Sequence, residues 1–170
     1  MKREIRQGLS LKEMKLTRWT AGMILTFIAF LCFFIPSLLQ ESPSRADFAA
    51  VNEATTAGLD MTAYPAADQS LIRSKLGLDP SRYQGVAFYR SLNAMDAEEM
   101  LVIQYDPSQK QEVVDKVNAR IQSQKDIYKG YAPEQLETLN QAVVSVHPNY
   151  LLYVTGPQAR QAESQFEEAL

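Results

Sequence analysis

Residues 19 to 40, WTAGMILTFIAFLCFFIPSLLQ, are 22 consecutive positions without a charged side chain. At about 1.5 Å rise per residue, roughly 20 apolar residues reach across a hydrocarbon core about 30 Å thick. The stretch predicts one membrane-spanning helix, and a helix of that kind splits the chain. It separates a basic segment at 1–18 from a linker or stalk at 41–58 and a domain at 59–170. Trp19, Phe27, Phe30, Phe33 and Phe34 are the expected anchor residues, with the Trp19 indole at headgroup level.

Charge sets the expected orientation. Lys2, Arg3, Arg6, Lys12, Lys15 and Arg18 precede the stretch against only Glu4 and Glu13, whereas residues 41–45 offer Glu41 and Arg45. Basic flanks stay on the cytoplasmic side. The reading is a plasma-membrane protein with its N-terminus inside and residues 41–170 outside. Ser10-Leu11-Lys12-Glu13 has the form of a capping box, so the helix can begin near Leu11. A cleaved signal peptide is the competing reading. Its apolar core would be shorter, and Pro36-Ser37-Leu38-Leu39 lacks a small-x-small cleavage pattern. A lipid-modified Cys32 would need a small neighbour where Ala29-Phe30-Leu31 stands. A cysteine packing as a small hydrophobe is the simpler account.

Residues 46–170 carry ten Lys and Arg against seventeen Asp and Glu, a net charge of −7, while the first 45 residues carry +4. An acidic domain argues against nucleic acid as a partner, because phosphate recognition needs a basic surface. The domain contains no cysteine and a single histidine, His147. Its stability must come from a hydrophobic core rather than disulfides, and no zinc site or cofactor is expected.

The pattern along the domain is α+β. Ala46–Thr56 reads as a stalk or loosely docked helix ended by Gly58, and Pro65–Leu76 as a helix stopped by Gly77. Gly85–Arg90 and Met100–Tyr105 have strand composition, and Asp106-Pro107 then starts the longest helix, with Val113, Val114, Val117 and Ile121 inward. After the Gly130–Pro133 break come a short helix at Pro133–Asn140 and a hairpin of Ala142–Val146 with Tyr150–Thr155. A last helix follows Gly156-Pro157 and is anchored by Phe166. The order suggests two ββα-like units and a four-stranded, mostly antiparallel sheet with helices covering one face.

The segment from about Leu59 to Phe166 resembles an uncharacterised bacterial family, the domain of unknown function numbered 4358. The resemblance is carried by Leu59-Asp60-Met61, Gly77-Leu78-Asp79, Tyr83-Gln84-Gly85-Val86 and Asn93–Glu99. It continues through Arg120–Lys125, Gly130–Gln135 and Tyr150–Tyr153. It implies a membrane-anchored or lipid-anchored exported domain. It also implies an association with membrane-bound O-acyltransferases that decorate cell-surface polymers. It implies no activity.

Three groups of residues invite a chemical reading. His147 lies in a hairpin turn with no Gly-x-Ser-x-Gly elbow and no catalytic cysteine to accompany it, so it reads as an exposed turn residue. Asp96, Glu98 and Glu99 are close in sequence, but their spacing fits no EF-hand loop, and helix capping explains them more simply. Arg120, Gln124 and Lys125, together with Tyr131, Glu134 and Gln135, form the most promising polar set. Arg120 and Gln124 are four apart and share a helix face. The set reads either as a network tying the long helix to the short one or as a recognition surface.

Two functions follow. One is a non-catalytic module that binds a partner protein or cell-envelope polymer. The other is an envelope-acting enzyme with its site around Arg120, Gln124 and Tyr131, which a deep pocket there would favour. Sensing across the membrane would need a membrane partner, since 18 residues are too few for an output domain.

Overall fold

The computed structural model describes the backbone of residues 18–38 and 42–170 and the side chains of 22–34 and 42–170. The basic segment, its capping box and the Trp19 side chain lie outside the described residues. The chain divides into two units, residues 1–40 and 41–170.

In the first unit, Arg18–Leu38 is a helix, α1. Its Phe27, Phe30, Phe33 and Phe34 side chains are exposed, and the Phe30 and Phe34 rings stack with centroids 4.1 Å apart, one helical turn from each other. Among the described residues no helix is long and apolar enough to cross a membrane.

The second unit is α+β, with strands β1 (Gly85–Arg90), β2 (Glu99–Gln104), β3 (Val143–Val146) and β4 (Tyr150–Val154). They form one antiparallel sheet in the order β1-β2-β4-β3. Leu101 pairs with both Phe88 and Tyr153, and Ile103 with Val86 and Leu151. Side chains alternate across a strand, so this register places Phe88, Leu101, Ile103, Leu151 and Tyr153 on one face. Met100, Val102, Tyr150, Leu152 and Val154 lie on the other.

Both faces are covered, which corrects the expectation of helices on one side. Helices α3 (Gln69–Leu76) and α4 (Lys110–Tyr128) close the first face with Ile72, Leu76, Val113 and Val117. Helices α2 (Phe48–Thr56) and α6 (Ala159–Ala169) close the second with Val51, Ala162 and Phe166. The physical signal was a run rather than an alternation: Met-Leu-Val-Ile in β2 and Tyr-Leu-Leu-Tyr-Val in β4 are buried at every position, as strands covered on both faces must be.

The two ββα stretches exist in order but not as a symmetric pair. A two-fold axis normal to the sheet would exchange β2 with β4 and leave both helices on one face. Here α4 and α6 lie on opposite faces, so no rotation superimposes the units.

Residues 46–56, expected as a stalk or loosely docked helix, belong to the domain. Asp47 caps α2 by accepting from the Ala49 and Ala50 amides, and Val51 is fully buried. The chain ahead of it is clasped to the β3–β4 turn, where Ser44 and Asn149 exchange two hydrogen bonds of 2.9 Å. A Cβ on Gly85 would lie 2.1 Å from Phe48 Cγ, so glycine is what lets the α2 ring rest against the β1 backbone.

Helix α3 begins four residues later than expected because Asp68 caps it, accepting from the Leu71 amide at 2.7 Å. The residues before it stay extended. Ala67 donates to the Phe88 carbonyl at 2.7 Å, which covers part of the exposed edge of β1. Gly77 ends α3 at φ 64°, the left-handed C-terminal stop. At the other end of β2, Asp106 and Gln109 close a reciprocal capping box over a 3₁₀ turn, and α4 follows directly. Helix α5 (Pro133–Asn140) packs its Leu139 against Ala97 and Tyr128.

Candidate functional site

Helix α4 runs back antiparallel to β2, so its C-terminal half returns to the start of that strand. This brings together Arg120 and Gln124 from α4, Glu99 from β2 and Tyr153 from β4. Glu99 shares its sheet face with Leu101 and Ile103 and is 3 % exposed. A carboxylate there needs a partner. Arg120 supplies it with a bidentate fork: Nε donates to Oε1 at 3.0 Å and Nη2 to Oε2 at 2.8 Å.

Tyr153 donates its phenol proton to Glu99 Oε1 at 3.0 Å. The Gln124 amide completes the set in the orientation that gives every atom a complementary partner. Its nitrogen donates to Glu99 Oε1 at 3.0 Å, and its oxygen accepts from Arg120 Nη2 at 3.0 Å. Burial, reinforced by the Glu99 charge, pushes the Tyr153 phenol well above its usual range. Burial works against the Arg120 charge, but the hydrogen bonds and charge of Glu99 outweigh it and raise the guanidinium. Thr155 fastens the strand ends beside the network. Its hydroxyl accepts from the Glu99 amide at 2.9 Å and donates to the Ala97 carbonyl at 2.7 Å.

The six residues of the polar set therefore divide. Arg120 and Gln124 turn inward and are satisfied by the sheet. Gln135 is half-buried and accepts from the Ala97 amide at 2.7 Å, tying α5 to the loop between β1 and β2. Tyr131 and Glu134 are exposed and Lys125 is partly so. The Tyr131 ring stands 5.8 Å from that of buried Tyr128. The network thus ties α4 chiefly to the sheet rather than to α5. Glu99 and Tyr153, which complete it, were assigned from sequence to a capping cluster and to strand packing. The available signal was Glu99 itself, an acid at a core-facing position of an apolar strand.

The three neighbouring acids serve separate sets of partners. Asp96 accepts from Ser91 Oγ at 2.8 Å and Asn93 Nδ2 at 2.9 Å, Glu98 accepts from the Tyr64 hydroxyl, and Glu99 holds Arg120. Among the described residues no three His, Cys, Asp or Glu side chains gather as a metal ion would require.

His147 is not the exposed turn residue expected. Its ring meets Phe166 edge-on, with centroids 5.8 Å apart. Its Nε2 lies 3.2 Å from Ser145 Oγ and 3.1 Å from Glu167 Oε1, and Ser145 also donates to Glu167. A catalytic triad needs the acid on one ring nitrogen and the hydroxyl on the other. Here Nε2 faces both, and these contacts link β3 to α6.

A shallow cleft, open to solvent, includes Glu99 and Thr155 among its lining residues. Leu59, Met61, Tyr64, Tyr89, Met100 and Val154 form most of its wall. Arg120, Gln124 and Tyr131 are not among its lining residues.

The protein class is thereby defined as a small three-layer α+β domain, an antiparallel four-stranded sheet between two pairs of helices, braced by a buried Arg–Glu–Tyr–Gln network. Residues 58–156 match the family described as Domain of unknown function (DUF4358), and the chain belongs to that family. No curated protein and no solved structure matches the chain.

Proposed function

We propose that this is a single-pass membrane protein with a cytoplasmic N-terminus and an extracytoplasmic domain that acts as a non-catalytic binding module. It recognises a partner protein or a cell-envelope polymer through the surface at the C-terminal end of α4. The anchor rests on the whole uncharged stretch 19–40, of which the described side chains cover only 22–34, and on the basic residues that precede it.

The observation that carries the binding reading is the division of the polar set. The groups with chemical reach, Arg120 and Gln124, are spent inside on Glu99 and Tyr153, while Tyr131 and Ile127 remain 55 % exposed above the braced helix end. An exposed aromatic beside an apolar side chain on a rigid support suits an interface. The enzyme reading needs a cleft joining Arg120 to a reactive group; the cleft described is lined by Glu99 and Thr155 but not by Arg120, Gln124 or Tyr131.

The test is crosslinking in native membranes, capture of the full-length protein and mass spectrometry. The expected result is a partner or polymer fragment that is lost with the double substitution Lys125→Ala, Tyr131→Ala and kept with Gln111→Ala. Capture unchanged by the double substitution, in protein that melts at the parent temperature, refutes the surface.

A further inference from the structure

The chain treats the two edges of its sheet differently. Along β1 it covers its own edge. The extended segment ahead of α3 forms an antiparallel bridge between Ala66 and Tyr89. Ala67 donates to the Phe88 carbonyl at 2.7 Å, and Leu92 donates to the Ala63 carbonyl at 3.2 Å. At the opposite edge, β3 pairs only with β4. Its sequence, Val-Val-Ser-Val, holds no proline and no charged residue, and its register runs without a bulge. It therefore lacks the devices that usually blunt an edge strand.

The ladder fixes which backbone groups of β3 face outward. The His147 amide donates to the Tyr150 carbonyl at 2.8 Å, whereas the Asn149 carbonyl accepts from Tyr105 and the Thr155 amide donates to Glu99, both at 2.9 Å. Antiparallel bonding alternates along a strand, so Tyr150, Leu152 and Val154 turn their backbone groups to β3, while Leu151 and Tyr153 turn theirs to β2. In the β3–β4 register, Val143 and Ser145 then face β4, and Val144 and Val146 point N–H and C=O away from the sheet. Among the described residues nothing bonds to these four groups, and Val144 is 36 % exposed. The second-face side of this edge is acidic. Glu167 of α6 reaches over β3, where its Oε1 accepts from Ser145 Oγ and lies 3.1 Å from His147 Nε2. Its Oε2 has no partner among the described residues, and the side chain is 43 % exposed.

We propose that β3 takes up an extended segment of a partner protein as a fifth, antiparallel strand, read by the pattern β-branched, basic, β-branched. The two residues opposite Val144 and Val146 each exchange a pair of N–H···O=C bonds with them. Their side chains fall on the first face, beside exposed Val144 and beside Val146, which packs on the core there. The residue between them, opposite Ser145, falls on the second face next to Glu167 Oε2, where an arginine or lysine gains a charge-assisted hydrogen bond. A second copy of this chain suits the edge less well. A two-fold axis through Ser145, normal to the sheet, would set the Glu167 carboxylates of both copies on the same side of the seam, and like charges there oppose pairing.

The experiment is fluorescence anisotropy of the full-length protein in detergent with a fluorescein-labelled Thr-Val-Arg-Val-Thr peptide, its Thr-Val-Glu-Val-Thr counterpart and N-methylated forms of the first. Saturable binding of the arginine peptide, about tenfold tighter than the glutamate peptide, is expected. N-methylation of either valine, whose N–H faces β3, should abolish binding, and N-methylation of the arginine, whose N–H faces away, should leave it nearly unchanged. Val144→Pro removes an outward N–H and no bond to β4, so it should abolish binding in protein that melts at the parent temperature. The N-methylated peptides test the backbone pairing on unaltered protein, whatever that substitution does to stability. Glu167→Gln should erase the preference for arginine over glutamate. Binding that survives N-methylation of both valines, equal affinity for the two peptides, or no saturable binding overturns the inference. So does a dimer in sedimentation that Val144→Pro dissociates, which would give the edge to a second copy.

Discussion

Replacing Arg120 with methionine removes the guanidinium fork and keeps most of the apolar stem. Glu99, 3 % exposed, then keeps Tyr153 and Gln124 but loses the cation it is paired with. Breaking a buried pair by removing one partner costs about 3–5 kcal/mol, because the remaining charge is uncompensated. A domain of this size is stable by about 5–15 kcal/mol, so the substitution consumes a large part of the total. At about 3–5 °C per kcal/mol, the midpoint should fall by roughly 10–20 °C. The assay is thermal unfolding of the full-length protein followed by far-UV circular dichroism, with the double variant Glu99→Met, Arg120→Met alongside. Removing both charges also removes the unpaired one, so the double variant should recover part of the loss. A midpoint for Arg120→Met within about 2 °C of the parent, or a double variant less stable than the single, refutes the account of a desolvated pair.

Two further outcomes follow from other parts of the fold. Gly85→Ala should cost about 1–3 kcal/mol by forcing the Phe48 ring off β1, and it should open residues 45–58 to limited proteolysis before the sheet; unchanged protease resistance there would show that α2 does not depend on that contact. Tyr64, Tyr105, Tyr150 and Tyr153 all have phenols raised chiefly by burial, Tyr150 to about 12. A group whose folded value is raised contributes stability that is fully present below its unfolded value, near 10, and is lost as pH rises toward the folded value. Stability should therefore fall above about pH 10, and Tyr153→Phe should reduce that fall; a denaturant midpoint flat from pH 9 to 11.5 would contradict it.

Much of this architecture was legible. All four strands were visible as β-branched and aromatic runs between turn residues, and Asp106-Pro107 and Gly77 marked helix ends through local chemistry that tertiary contacts did not override. The faces were harder to read. A continuous apolar run announces burial on both sides, but β2 and β4 are antiparallel, and antiparallel sheets often keep one wet face. The α2 helix was underestimated because its packing, on α6 and on Gly85 of β1, joins residues far apart in sequence. Of the polar set, Arg120, Gln124 and Lys125 lie on α4, where Arg120 and Gln124 share one helical face, and Glu134 and Gln135 lie on α5. Which way that face points depended on Glu99 and Tyr153, 21 and 33 residues away. No local pattern announces a pair that exists only once the sheet has formed.

The clasp between Ser44 and Asn149 has a mechanical consequence. Ser44 Oγ also donates to the Leu170 carbonyl at 3.1 Å, so the chain is gripped where it reaches the domain by the turn ahead of the central strand β4 and by the residue that follows α6. Tension applied through the residues before Ser44 is delivered first to this knot and reaches α2 only after the knot gives way. The Phe48 contact is thereby shielded from pulling, and the first thing a load would loosen is a set of three hydrogen bonds that can re-form, not the hydrophobic core.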